Sequence, residues 1–207
     1  MKSSFCAALL LSAMALPAWA APVAEVTAVR GDAKSGSHAL AVGDPLEIGA
    51  EVRTGTDGRV RLRFIDGSTL VVGDRTVMKV ERFDMAAGDG NLREAATLLL
   101  NAGLIGQKVA PSKGGSWEVR TPTAVTAVRG TEFVVEIEAD QATAVNVQSG
   151  KVEVEAVQGT RSLRPRSRVT LADPQAGTQC NPSRGCSPSA AWEPERVKST
   201  QARLSLD

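Results

Sequence analysis

Tyrosine is absent from the 207 residues, and four phenylalanines and three tryptophans bring the aromatic share to only 3%. Histidine occurs once, at His38, and cysteine three times. These shortages starve most catalytic chemistries. A Ser-His-Asp or Cys-His device would have to be built on His38, which follows the polar run Lys34-Ser35-Gly36-Ser37 and reads as a solvated loop residue. The cysteines and the lone histidine give no recognised zinc-ligand spacing, and no cofactor is expected. An excess of charge is also missing. Lys plus Arg total 24 and Asp plus Glu 23, and Lys2 is the only charged residue in the first twenty, so the remainder is neutral. Nucleic-acid binding draws on counterion release by a basic surface, and a neutral chain is a poor candidate for it. No apolar stretch reaches the ~20 residues that cross a bilayer.

What the chain does have begins with an address. Lys2, the apolar run Ala7 to Leu16 and the small-x-small triplet Ala18-Trp19-Ala20 have the order of a secretory signal peptide over residues 1–20, cleaved between Ala20 and Ala21. The mature product is then periplasmic or secreted, soluble and without a transmembrane segment. Cys6 precedes the apolar run and leaves with it. With 43% hydrophobic and 23% charged residues, the mature chain has enough apolar material for one domain with a core.

Its rhythm is β throughout. In Arg59 to Phe64, Val60, Leu62 and Phe64 alternate with Arg59, Arg61 and Arg63, as a half-buried strand requires. Asp66-Gly67 then marks a tight turn or sharp corner before Ser68 to Val72 returns. Thr76 to Phe83 alternates again, Met85 to Asn91 reads as a loop, and Leu92 to Leu100 is assigned to strand despite helix-favouring Glu94-Ala95-Ala96. Val119 to Glu138 joins a Thr121-Pro122 turn, an Arg129-Gly130-Thr131 corner and a strand with Phe133, Val135 and Ile137 on one face. The hexapeptide Val-Thr-Ala-Val-Arg-Gly occurs at 26–31 and again at 125–130, which implies one structural unit used twice. Gly67, Gly103, Gly130 and Gly150 are read as corner residues. Short strands at spacings near ten residues predict an all-β fold, solenoid-like, prism-like or a sandwich, over residues 24–173. From Pro174 to Asp207 the composition turns rich in Pro and Ser, predicting an irregular tail with at most a short helix near Glu195 to Leu204.

The ordered fragments Gly43-Asp44, Val52-Arg53-Thr54-Gly55, Phe64-x-Asp66-Gly67-Ser68, Leu98-x-Leu100-x-x-Gly103, Val119-Arg120-Thr121-Pro122, Val128-Arg129-Gly130-Thr131-x-Phe133 and Val147-x-x-Gly150-x-Val152 resemble the FecR-type domain of bacterial envelope proteins. Each fragment alone is a weak signal, but seven in the right order are a strong one. The resemblance implies an all-β extracytoplasmic domain that contacts another macromolecule. The best-known members carry an outer-membrane receptor signal to a cytoplasmic sigma factor through a membrane helix. This chain departs from them in carrying an export signal instead.

Among remaining candidates for chemistry, Asp66 and Glu132 would be the two carboxylates of a glycosidase. Both have structural readings, as turn former and as the outward member of an alternating strand. Cys180 and Cys186 enclose five residues and suit a disulfide in an oxidising compartment. So small a ring contributes about 2 kcal/mol, and it is expected to staple the tail without holding the β core. The row Arg59, Arg61 and Arg63 is expected to face the glutamates of 132–138 or Glu153 and Glu155 on neighbouring strands. The expected function is a non-catalytic binding module for an envelope protein partner. The alternative is a module for peptidoglycan or polysaccharide.

Overall fold

The computed structural model describes residues 21–88, 91–111, 115–157 and 167–206, with side chains given outside 86–94. The export segment with its Ala20 boundary, and the turn expected at Gln158-Gly159, lie outside the described residues. The chain runs through β1 (Ala24–Arg30), β2 (Ala33–Ser35), β3 (His38–Ala39), β4 (Pro45–Leu46), β5 (Glu51–Thr54) and β6 (Arg59–Phe64). It continues with β7 (Thr69–Val72), β8 (Val77–Gly88), β9 (Asn91–Lys108), β10 (Ser116–Arg120), β11 (Ala124–Val128) and β12 (Glu132–Ile137). The remainder comprises β13 (Thr143–Ser149), β14 (Val152–Ala156), β15 (Arg168–Leu171), β16 (Ala176–Asn181), β17 (Gly185–Cys186), β18 (Ala190–Ala191) and one helix, α1 (Pro194–Leu204).

Two sheets form, and β9 belongs to both. The first sheet is ordered β4-β1-β6-β7-β9-β12-β13-β16, with β17 and β18 on the far side of β16. The second is ordered β3-β2-β5-β8-β9-β10-β11-β14-β15. The N-terminal part of β9 lies between β8 and β10, whereas residues 103–108 lie between β7 and β12. The crossing is at Gly103, whose φ of 85° is in the left-handed region that glycine enters without steric cost. Only β9 and β10 run parallel among these pairings. The fold is all-β, and the antiparallel pairing realises the sandwich alternative.

The core lies between the sheets. Val60, Leu62 and Phe64 of β6 are buried to within 2% of full exclusion from solvent, while Arg61 and Arg63 are exposed. Phe64 of the first sheet stacks 5.5 Å from Phe83 of the second and meets Trp117 edge-on at 5.1 Å. Trp117 Nε1 donates to Gln107 Oε1 across the sandwich at 2.6 Å, so the scarce aromatics cluster where the layers meet. Each such side chain, fully buried, contributes about 1.5–3 kcal/mol. The repeated hexapeptide has a physical role. Its first copy ends β1 in the first sheet and passes to β2 in the second at Gly31, φ 65°. Its second copy ends β11 in the second sheet and passes to β12 in the first at Gly130, φ 59°. The same six residues make the same kind of sheet change, in opposite directions.

Five expectations are corrected. The segment after Pro174 is no irregular appendage: β16 pairs with β13, Ala176 and Cys180 are buried, and α1 packs on the first sheet. Proline and serine content signalled looseness, but the alternation of Ala176, Thr178 and Cys180 supplies a strand. The disulfide joins Cys180 and Cys186, yet Cys180 stands opposite Thr143 inside the core cluster, so the ring is part of the β framework. Residues 85–88 are strand, extending the β8–β9 hairpin beyond its flanking strands. The neighbours of β6 are β1 and β7, so the arginine row does not lie beside the glutamates of β12 or β14. His38 is in β3, paired with Ser35, where a loop was expected.

Candidate functional site

The residues singled out as candidate chemistry turn out to be committed to structure. Asp66 Oδ1 accepts the Ser68 backbone N–H at 2.9 Å, its Oδ2 accepts the Ser68 hydroxyl, and Ser68 Oγ in turn accepts the N–H of Ala110 at 2.9 Å. Asp66, Gly67 and Ser68 thus form the β6–β7 hairpin within one sheet and fasten it to the segment leaving β9. Glu132 is half-buried on the outer side of β12 beside Lys108 and makes no pair with Asp66. His38 is exposed, with Nε2 2.9 Å from Asp44 Oδ2. The Ala41 N–H first, and His38 second, hold the Asp44 carboxyl below its usual range. No group of three metal-ligating side chains occurs among the described residues.

The other motif residues also have structural work. Thr121 Oγ1 accepts the Ala124 N–H at 2.9 Å and lies 2.7 Å from Thr143 Oγ1, which is itself 2.6 Å from Thr123 Oγ1, so buried hydroxyls close the Thr121-Pro122 turn against β13. Arg129 Nε donates to the Gly115 carbonyl at 2.9 Å. Thr131 Oγ1 donates to the Lys151 carbonyl at 3.0 Å, and the bare Cα of Gly150 leaves room for that threonine. Phe133 is fully buried.

Helix α1 lies on the outer face of the first sheet, and a separate groove of about 370 Å³ lies on the other sheet beside Gly115, Arg129 and Glu153. Pro194 fits the first turn of the helix because its missing N–H has no intrahelical partner there. Arg203, in the last turn, donates through Nε to Asp74 Oδ1 at 2.8 Å and through Nη1 to Glu136 Oε1. Burial alone would lower the Arg203 pKa, but the bonds to Asp74 and Glu136 outweigh it and raise the value. Arg196 pairs with Glu138 at 2.5 Å and lies 3.8 Å over the Trp192 ring. Leu204 occupies the space above Gly106 that a side chain would otherwise fill. Arg59 Nε donates to the Arg203 carbonyl at 2.7 Å, so the first member of the arginine row caps the helix C-terminus. Sequence reasoning missed these anchors because Arg203 and Asp74 are 129 residues apart and carry no local signature.

Beside the helix, a groove of about 260 Å³ is left on the sheet. Its floor is the register row Val71, Gly106 and Val134, with Leu204 as one wall and Thr69, Lys108 and Glu132 along the open side. Arg61 lies opposite Val71 and Arg63 opposite Thr69 on β6. No helix of the described residues is long and apolar enough to cross a membrane.

Residues 50–153 match the family model described as FecR protein. The chain belongs to the FecR family. No curated relative matches the sequence. Two crystal structures, at 1.65 Å and 2.50 Å, of a Parabacteroides distasonis protein provisionally described as an anti-sigma factor are similar in fold. Each is 22% identical with a TM-score of 0.54 over 72% of this chain, which spans 63% and 62% of theirs. The chain therefore covers less than two thirds of the length of those neighbours. The family match places the chain among regulatory, non-enzymatic proteins, and the solved structures show the shared fold.

Proposed function

We propose that this FecR-family chain is a periplasmic binding module that contacts a protein partner in envelope signalling or organisation. The observation that carries the reading is the division of labour on the sandwich: Asp66, Thr121 and Thr131 serve turns and corners, while the outer face of the first sheet keeps a groove and unmatched cations. A rigid sheet presenting such a face suits recognition, because the groups that would bind are already placed. Export is supported by the order of residues 1–20 and by a disulfide that persists in an oxidising compartment. The family match lends no support to peptidoglycan or polysaccharide as the ligand.

Cell fractionation followed by N-terminal sequencing tests the address, with Ala21 as the expected first residue in the periplasmic fraction. A pull-down from envelope extract, run beside sedimentation with purified cell wall, tests the partner class. A specific protein captured without wall retention is expected. A cytosolic product beginning at Met1, or retention by the wall alone, would overturn the proposal.

A further inference from the structure

We infer that the groove beside α1 is the docking face, and that its occupant is a short acidic protein segment bearing an aliphatic side chain. The inference rests on the protein-partner reading above and specifies the surface and the chemistry. Lys108 lines the groove, and Arg61 and Arg63 stand on the adjoining strand opposite its lining residues Val71 and Thr69, all three exposed. Among the described residues none of them is within ion-pair distance of a carboxylate, whereas Arg203, Arg196 and Arg168 each are. Two carboxylates flank the patch. Glu25 stands opposite Arg63 across β1, and Glu132 opposite Lys108 across β12, at the outer margins of the cationic group.

The spacing is fixed by the sheet. Arg61 and Arg63 are two residues apart on one strand, so their Cα atoms are separated by about 7 Å, and Lys108 is two strands away, roughly 10 Å from Arg63. An extended segment lying across the strands brings one carboxylate over the arginines and another near Lys108. Beside them its side chain meets Val71 and Val134 of the next row and the wall of Leu204. That floor discriminates between partners. A polyanionic glycan satisfies the cations but leaves the apolar floor wet, whereas a peptide with one aliphatic residue between acids satisfies both. Gly106 lets Leu204 seat close to the sheet, because it presents no side chain beneath that wall.

Fluorescence anisotropy with a short labelled peptide of Asp and Glu around one Leu tests this on the full mature chain. Companion probes replace the acids by Lys or the Leu by Ser, and alginate serves as the glycan arm. The acidic Leu peptide is expected to bind at least about tenfold tighter than either companion, and Arg61→Glu with Arg63→Glu to weaken it by about tenfold or more. The fold should be kept with only a small drop in melting temperature, since neither arginine is within ion-pair distance of a carboxylate and the one new clash sets the glutamate introduced at position 63 opposite Glu25. Affinity unaffected by charge reversal, a Ser peptide as tight as the Leu peptide, or alginate binding tighter than both would overturn the assignment. Photoreactive residues placed at Thr69 on this face and Thr170 on the opposite sheet separate this failure from that of the wider reading. Protein adducts at 69 that vanish on charge reversal support the docking face. Adducts at 170 alone overturn the face and leave the binding module standing, and adducts at neither position overturn both.

Discussion

A side chain at Gly103 would meet the Thr76 Cα at 2.6 Å and the Arg75 carbonyl at 2.7 Å, while one at Gly67 would meet nothing within 4 Å. Both residues have positive φ, 85° and 89°. The pair therefore separates backbone strain from steric collision. Gly67→Ala should cost about 1–2 kcal/mol, the penalty of the left-handed region alone. Gly103→Ala adds a backbone clash and should cost well over about 3 kcal/mol, or prevent folding. Denaturant midpoints of the two variants check this, and equal costs would show that the strand bends at Gly103 without the predicted crowding. At this scale much was legible in the sequence. Alternation told which residues of β6 face inward, and glycine in the Val-Arg-Gly-Thr context told where the chain turns. What the sequence left open was the kind of turn: Gly67 closes a hairpin within one sheet, whereas Gly103 and Gly130 carry the chain between sheets.

Elements were legible by type but not by neighbour. A period of two fixes the face of a strand and says nothing about which strand lies beside it, so the arginines of β6 were matched with glutamates that belong elsewhere. The same limit hid the seat of α1. Its helical span was expected, but its anchors Asp74, Glu136 and Glu138 come from the β7–β8 turn and from the end of β12. Arg203→Ala should strip the nearly buried Asp74 of its closer charged partner and leave it only Arg75, whose Nη1 is 3.3 Å from Oδ2. Breaking a fully buried pair costs roughly 3–5 kcal/mol, but the Arg203 side chain keeps 34% of its surface exposed, so about 2 kcal/mol is expected. Thermal melts with and without the substitution measure it. Release of the helix alone, with hydrogen exchange confined to 194–204, would show that α1 is a separable lid.

For the whole molecule, the all-β class was readable from strand rhythm, and the extent of the domain was not. The chain after Pro174 looked polar and loose because its contribution is one six-residue strand, two paired strands of two residues, a ring of two cysteines and a helix held by charges. None of these raises local hydrophobicity. Truncation after Asp173 should remove the partner of β13, expose the edge at Thr143 to Asn146, and lower stability by at least about 3 kcal/mol. Calorimetry and sedimentation should then show a lower melting temperature and self-association. A truncated chain that melts like the parent as a monomer would restore the appended-tail view.

The continuity of β9 has a mechanical meaning. Because one backbone runs from the middle of one layer through the bend at Gly103 to the middle of the other, a slide of either layer pulls on the strand that the other holds. A load applied at the groove is passed through covalent bonds to the strands that hold β10 and β11, so the body moves as a single stiff lever.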